Sequence, residues 1–332
     1  MKVTLEQLKK LLSTYRLKVL RIHPHDHGFL VETNKGIKVV TIWDNGELLK
    51  WSNRWREEVA IQGGTGVERF LVNVNKKKYI RYQGKYYVIS SVPEGHHPDV
   101  YCNDECMKVG ELFARYHSAL DRIDQGSVTP VSHSQVDEKL FTEATTWIKQ
   151  LMQSIEQKQE VPTLIDEIIY MNLPLIYDRF RRAFQLWEGI KDSISYLPLS
   201  TVSYHLEQMT KNDEGWYIGG GYNQPLAPLH QDTVQLIREV YEKSEWKIEA
   251  VGGFLKGYNN QRNLTDSEWV YILMQLAVPW EVWKYFTEYS KQGNLSDDQV
   301  DLFLEAINRQ KYWDDLTRFV ARLIDRKMEA SA

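Results

Sequence analysis

The sequence predicts an α+β protein in two parts, a sheet-rich N-terminal lobe over residues 1–95 and a large, mainly helical C-terminal lobe over residues 96–332. Three observations carry that prediction. Runs of β-branched and aromatic residues, separated by short turn signals, crowd the chain before Pro93-Glu94-Gly95. After that tripeptide the apolar residues switch to a helical period, which makes it a hinge candidate. Only two later stretches, LPLSTVSYHL and GWYIGG, read as strands, and they flank a polar loop. At 332 residues and 42% hydrophobic, the chain can fill one large core or two modest ones.

From the N-terminus, Thr4 to Tyr15 places Leu5, Leu8, Leu12 and Tyr15 on one face, with Thr4 and Gln7 at capping-box spacing, the pattern of an amphipathic helix. Three strands follow in RLKVLRIH, GFLVETN and GIKVVTIW, an antiparallel meander whose second turn is Asn34-Lys35-Gly36. A helix is expected over Glu47 to Gln62, where Leu48, Trp51, Trp55 and Val59 form a stripe that fits the meander's face, and Gly63-Gly64-Thr65-Gly66 ends it. VERFLVNV, KKYIRY and KYYVISSV read as further strands, the last two joined at Gln83-Gly84. Past the hinge, Val109, Phe113, Tyr116 and Leu120 mark one helix; Val136, Leu140, Ala144, Trp147, Leu151 and Ile155 mark the next. Thr163 to Ile190 continues in the same period, with a break expected at Pro174. From Asp232 helices resume, with capping-box spacings at Thr265/Glu268 and Ser296/Gln299. A last helix carries Trp313, Leu316, Val320 and Leu323 on its apolar face.

Composition narrows the function classes. With 41 basic and 45 acidic residues the net charge is −4, which gives no electrostatic reason for nucleic acid or an anionic membrane to be the main partner. The most apolar run, VYILMQLAVPW, falls short of the ~20 residues a membrane helix needs and contains Gln275 and Pro279, so it reads as a buried helix. MKVTLEQLKK lacks the apolar core and cleavage site of a secretory signal, and a cytoplasmic start is expected. Cys102 and Cys106 suit neither Cys-x-x-Cys chemistry nor a disulfide framework and read as reduced, structural thiols. The 11 Trp and 19 Tyr suit core packing or a contact surface.

The stretch from Leu199 to Asp232 holds the pattern with most chemical content. His205, Glu207 and Asn212 stand at the spacing His-x-acid-x-x-x-x-Asn. In kinases this spacing sets a catalytic carboxylate beside the acceptor hydroxyl and an amide oxygen on a metal ion; the next element supplies an aspartate for the nucleotide's magnesium. Here the next element reads WYIGGGY and offers no carboxylate.

The flanking sequence resembles a known family. YYVISSVPEGHHPD resembles the edge strand and hinge of aminoglycoside-phosphotransferase-like kinases, and GELFARYHSAL resembles the helix that follows, with His117 at its histidine position. FLKGYNNQRNLTDSEWVYILMQLAVPWEVWKYFTEYSKQ resembles the helical tail of a narrower group, the CotS-type bacterial spore-coat proteins. The resemblance implies a bilobal protein-kinase-like fold. It further implies a protein made in the mother-cell cytoplasm that assembles into the spore coat, with other spore-coat proteins as partners and neither nucleic acid nor membrane.

The same resemblance says where charge is missing. The lysine of the third strand, which pairs with nucleotide phosphates and with a helix glutamate, aligns with Thr41; Lys38, three residues earlier, points to the opposite face of a period-2 strand. Glu57 or Glu58 is the candidate helix glutamate. Glu207 stands for the catalytic aspartate with one extra methylene, and the magnesium aspartate falls near Gly219. Asp232 resembles the structural aspartate that follows, and equally suits a helix N-cap. Losing both the lysine, where Thr41 stands, and the magnesium aspartate, where Gly219 stands, points to a pseudokinase that expects no cofactor, in which His205, Glu207 and Asn212 are a vestigial loop. One alternative is an active small-molecule phosphotransferase using ATP and magnesium with Glu207 as base, which needs another acid near Gly219, Asp213 and Glu214 being nearest in sequence. Another is a nucleotide-binding sensor without turnover.

Four other features carry less. His23, His25 and His27 would share a strand face suited to zinc or nickel, but Pro24 and Gly28 suggest a solvated turn. GGTGVER has Arg69 where a dinucleotide fingerprint needs its third glycine. Gly219-Gly220-Gly221 reads as a turn before it reads as an anion nest, and Lys76-Lys77-Lys78 as a solvated turn.

Overall fold

The computed structural model describes residues 5–25, 28–62, 66–91, 95–123, 133–157, 162–194, 199–201, 204–222 and 226–331. Pro93-Glu94 of the expected hinge, His27 and Gly63-Gly64-Thr65 lie outside them. The N-terminal elements are α1 (Leu5–Ser13), β1 (Val19–His25), β2 (Gly28–Thr33), β3 (Gly36–Trp43), α2 (Gly46–Gln62), β4 (Gly66–Val67), β5 (Ile80–Tyr82) and β6 (Lys85–Ser91). Then come α3 (Asn103–Arg122), α4 (His133–Glu156), α5 (Leu164–Ile194), β7 (Leu199–Thr201), β8 (Met209–Asn212), β9 (Gly215–Ile218) and β10 (Leu226–Pro228). The chain ends with α6 (Gln231–Lys243), α7 (Ile248–Gln261), α8 (Asp266–Ala277), α9 (Trp280–Gln292) and α10 (Asp297–Ser331).

Alternation along the strands builds a five-stranded antiparallel sheet in the order β1-β2-β3-β6-β5. One face carries Val31, Val40, Tyr87 and Ile89 and packs on Leu8 and Leu12 of α1. The other carries Trp43 and Val88 and packs with Leu49 of α2, Phe70 and Tyr222. Each such aliphatic side chain removed from water is worth about 1.5–3 kcal/mol. Asn45 caps α2, its Oδ1 accepting from the amides of Glu47 at 2.9 Å and Leu48 at 3.1 Å.

Several expectations need correction. VERFLVNV yields only the two-residue β4 and a bridge from Phe70 to Ser90, because Asn73 turns the chain away: its Oδ1 accepts from the amides of Asn75 and Lys77. LPLSTVSYHL yields only β7, paired with β10, a strand its sequence does not announce. No break occurs at Pro174; α5 runs through it because Ile169, Leu173, Ile176 and Phe180 bury one unbroken stripe on both sides. The Ser296/Gln299 and Trp313 segments are one helix, α10.

The chain divides into two compact units, residues 1–131 with 198–263, and 132–197 with 264–332. The first unit contains the sheet, α2 and α3, the four short strands β7 to β10, and α6 and α7. In the second unit α4, α5, α8, α9 and the start of α10 surround a core centred on Ile148, Ile169, Phe180, Met274, Phe286 and Phe303.

Candidate functional site

Every sequence-predicted site residue lies in the first unit. β8 and β9 form a hairpin, and β4 pairs in parallel with β9 through Gly66–Tyr217 and Val67–Ile218. These three strands form a sheet of their own in the order β4-β9-β8, and the glycine run starts where β9 leaves it.

Thr41 is buried on the α2 side of β3, where its Oγ1 accepts from the indole nitrogen of Trp43 at 2.9 Å. Lys38 shares the parity of Val40, on the α1 side. Neither glutamate of α2 turns toward Thr41. Glu57 is held by Arg69 at 2.5 Å and Lys78 at 2.6 Å, and Glu58 pairs with Arg122 at 3.7 Å. Burial alone would raise the Glu57 carboxyl, but hydrogen bonds from Arg69 and Lys78 outweigh it and hold the group below the ordinary glutamate range.

The charged residue that α2 buries is Arg56, fully out of solvent. One guanidinium nitrogen donates to the Ser52 carbonyl at 3.1 Å and to the Ser52 hydroxyl, and the other donates to the Gly220 carbonyl. The guanidinium also lies over the rings of Trp55 at 4.1 Å and Phe70 at 4.5 Å. On the amide side of the same residue stands Glu68. Its Oε2 accepts from Gly220 N at 3.1 Å and from the Tyr222 hydroxyl, and its Oε1 accepts from Ser90. Burial pushes the Tyr222 phenol well above its usual value, so Tyr222 stays a donor.

Glu68 explains Gly219. A Cβ at Gly219 would lie 2.8 Å from Glu68 Oε2, so the carboxylate occupies the space a side chain at the magnesium position would need. Gly220 and Gly221 adopt φ of +73° and +64°, which keeps them glycine for backbone reasons as well. These residues do not fit a hard divalent cation. The carboxylate already satisfies three donors and shares Gly220 and Tyr222 with a guanidinium, and no group of three metal-ligating side chains occurs among the described residues.

His205 and Glu207 do not face the glycine run. His205 Nδ1 lies 3.5 Å from Glu239, Glu207 is largely exposed 3.5 Å from Lys243, and Lys243 binds Glu239 at 2.7 Å. Asn212 sits at the hairpin tip, its Oδ1 accepting from the amides of Glu214 and Gly215. That tip is three strand residues, about 10 Å, from the Met209–Ile218 pair beside Gly219. The side-chain amide next to the glycine run belongs to Gln208, which a Cβ on Gly220 would strike; the main-chain carbonyl of Gln208 accepts from Gly219 N at 2.8 Å, and its side-chain Oε1 accepts from His205 N at 3.2 Å. With Gln208 as the amide position, the spacing of the motif puts its carboxylate position five residues earlier at Ser203, which lies outside the described residues.

Asp232 is not an N-cap; His230 holds that place. Asp232 is fully buried, accepts from His117 Nε2 at 3.2 Å, from Thr233 N at 2.7 Å and from Ser200, and His117 Nδ1 contacts the Tyr258 hydroxyl at 2.6 Å. Burial holds its carboxyl well above the ordinary aspartate range despite the hydrogen bond from Ser200. His23 pairs with Glu32 at 3.3 Å, and His25 is exposed on the same edge strand. A cavity of about 650 Å3 opens beside Lys38, Ser91, Glu68, Arg69, Asn212 and Tyr217.

A sheet ordered β1-β2-β3-β6-β5 with a helix after its third strand, followed by a large helical lobe holding one strand hairpin, defines the bilobal protein-kinase-like fold of aminoglycoside phosphotransferases. Among solved structures, an aminoglycoside phosphotransferase from Alicyclobacillus acidocaldarius subsp. acidocaldarius DSM 446 is similar to this chain with a TM-score of 0.78 and 14% identity, over 98% of both chains. Amicoumacin kinase hAmiN in complex with AMP-PNP, Ca2+ and amicoumacin is similar at 0.57 and 13% identity, over 93% of this chain and 92% of that one. Spectinomycin phosphotransferase APH(9)-Ia in complex with ADP and spectinomycin is similar at 0.57 and 12% identity, over 98% and 99%. No protein-family model matches the sequence, and no curated protein matches it.

Sequence reasoning missed Arg56, Glu68, Tyr222 and Gln208. One signal was readable: Arg56 stands three residues before Val59 and four after Ser52, inside the apolar stripe of α2.

Proposed function

We propose that the chain is a catalytically degenerate, kinase-like protein that acts as a structural or interaction component of a bacterial spore coat, assembled from the mother-cell cytoplasm. The degeneracy rests on one observation. The place of the magnesium aspartate is Gly219, and the space its side chain would need is filled by the Glu68 carboxylate, itself tied to Gly220, Ser90 and Tyr222. Thr41 at the lysine position removes the second charge a triphosphate needs. The coat assignment rests on the CotS-type helical tail, which most resembles that of the endospore coat-associated protein YutH.

Two measurements test the two halves separately. A fluorescent fusion expressed in a sporulating bacterium is expected to ring the forespore; uniform mother-cell fluorescence refutes the coat assignment. Purified protein is expected to transfer no γ-phosphate from magnesium-ATP. Turnover that disappears in Glu207→Ala would instead establish an active phosphotransferase with that residue as base.

The cavity of about 650 Å3 favours a second reading, a nucleotide-binding sensor without turnover, since that volume falls in the range of small-molecule sites. Saturable AMP-PNP binding without hydrolysis of ATP distinguishes it.

A further inference from the structure

The second unit contains a cavity of about 230 Å3 among α5, α8 and α10 that the kinase-like reading does not use. Arg179, Arg182 and Arg318 are among its lining residues, and Asp314 is the one acidic residue among them. The rest of its wall is mainly aliphatic, from Leu186, Leu273 and Ala277.

Arg179 is the informative member. It is 5% exposed, and one terminal nitrogen donates to the Gln310 carbonyl at 3.1 Å and to Asp314. Its Nε is buried with no acceptor among the described residues. An unmatched buried donor of this kind is costly, more so on a charged group. Arg318 gives its Nη2 to Asp315 at 2.6 Å, and Arg182 is exposed with no ion-pair partner among the described residues. Burial and the nearby charge of Arg182 both work against the Arg179 charge, while only Asp314 supports it. Two guanidiniums, those of Arg179 and Arg182, act against each other beside one small, partly apolar cavity, with Arg318 at its rim already paired to Asp315, so an anion placed there relieves that repulsion and supplies the acceptor Arg179 lacks. The planar fork of arginine suits carboxylate and phosphate oxygens in pairs.

We propose that this cavity binds a small organic anion, a carboxylate or phosphate monoester carried on a short apolar body. Its volume lies below the roughly 300–1,000 Å3 of drug-sized sites, which limits the ligand to a small one. The charged head meets Arg179 and Arg182, and the body lies on Leu186 and Leu273. The proposal is independent of whether the first unit binds nucleotide.

The test titrates the full chain with benzoate, phenyl phosphate and inorganic phosphate by calorimetry. Saturable binding of an organic anion, tighter than inorganic phosphate, is expected, with affinity reduced about tenfold or more in Arg182→Ala and less in Arg182→Lys. Arg182 and Arg318 are both exposed, so Arg318→Ala gives a second variant that leaves the core intact, and melting curves check both. Preference for benzoate identifies a carboxylate site and preference for phenyl phosphate a phosphate site. Absence of saturable binding by both organic anions, or binding unchanged in Arg182→Ala and Arg318→Ala, overturns the proposal.

Discussion

Arg56 and Glu68 hold opposite sides of one residue, the guanidinium on the carbonyl of Gly220 and the carboxylate on its amide. If they act as one unit, replacing either exposes the other's cost. Arg56→Met removes the hydrogen bonds to the Gly220 and Ser52 oxygens and leaves those buried acceptors short of a donor, a change worth about 1–3 kcal/mol. Glu68→Gln keeps the shape but strands the Arg56 charge, with an expected loss of about 2–4 kcal/mol. The double variant removes both charges, so its loss falls short of the sum by at least about 1 kcal/mol. Against a typical stability of about 5–15 kcal/mol these are large effects. The assay is urea unfolding of the four proteins followed by fluorine-labelled tryptophans, because Trp43, Trp51 and Trp55 are buried in this unit and report it separately. Losses that add within about 0.5 kcal/mol refute the idea of a single charged unit replacing the kinase charges.

Gly219→Ala drives a Cβ to 2.8 Å from Glu68 and is expected to cost about 1–3 kcal/mol, with the loss reduced in a Glu68→Ala background; equal losses in both backgrounds would locate the strain elsewhere. Because the Glu57 carboxyl is held below its unfolded value, its contribution is fully present above about pH 4.3 and is lost as pH falls through the folded value. Denaturation midpoints between neutral and acid pH are therefore expected to fall less steeply in Glu57→Gln than in wild type. Asp232 has the opposite sign: its raised value favours the folded state below about pH 3.9, and that contribution drains away as pH rises. Asp232→Asn should thus be milder than Asp232→Ala, which strands His117 and Ser200; equal melting temperatures for the two contradict the burial argument.

The sheet was legible because its strands obey one alternation and its turns use the expected residues, as at Gln83-Gly84, where φ is +48° and +79°. Helix α2 was legible from Trp51, Trp55 and Val59. The site was harder. A spacing such as His205, Glu207, Asn212 fixes positions along the chain but not the point where a four-residue strand begins, and β8 starts at Met209, so Gln208 rather than Asn212 meets the glycines. Glu68 was hidden because it stands 151 positions before Gly219, and no local pattern links the two. Pro174 misled for a related reason: a helix's buried stripe outweighed one missing hydrogen bond.

The parallel pairing of β4 with β9 has a consequence for motion. Kinase-like enzymes admit and release nucleotide by letting their sheet lobe swing against the strands beneath it. Here a ladder, the bridge between His96 and Lys211, and the contacts of Arg56 and Glu68 with Gly220 stitch those parts together. The sheet and the hairpin are then expected to exchange their amide hydrogens as one cooperative block, and native-state hydrogen exchange that gives the amides of Val88, Ile218 and Gly220 clearly different opening free energies would refute the coupling.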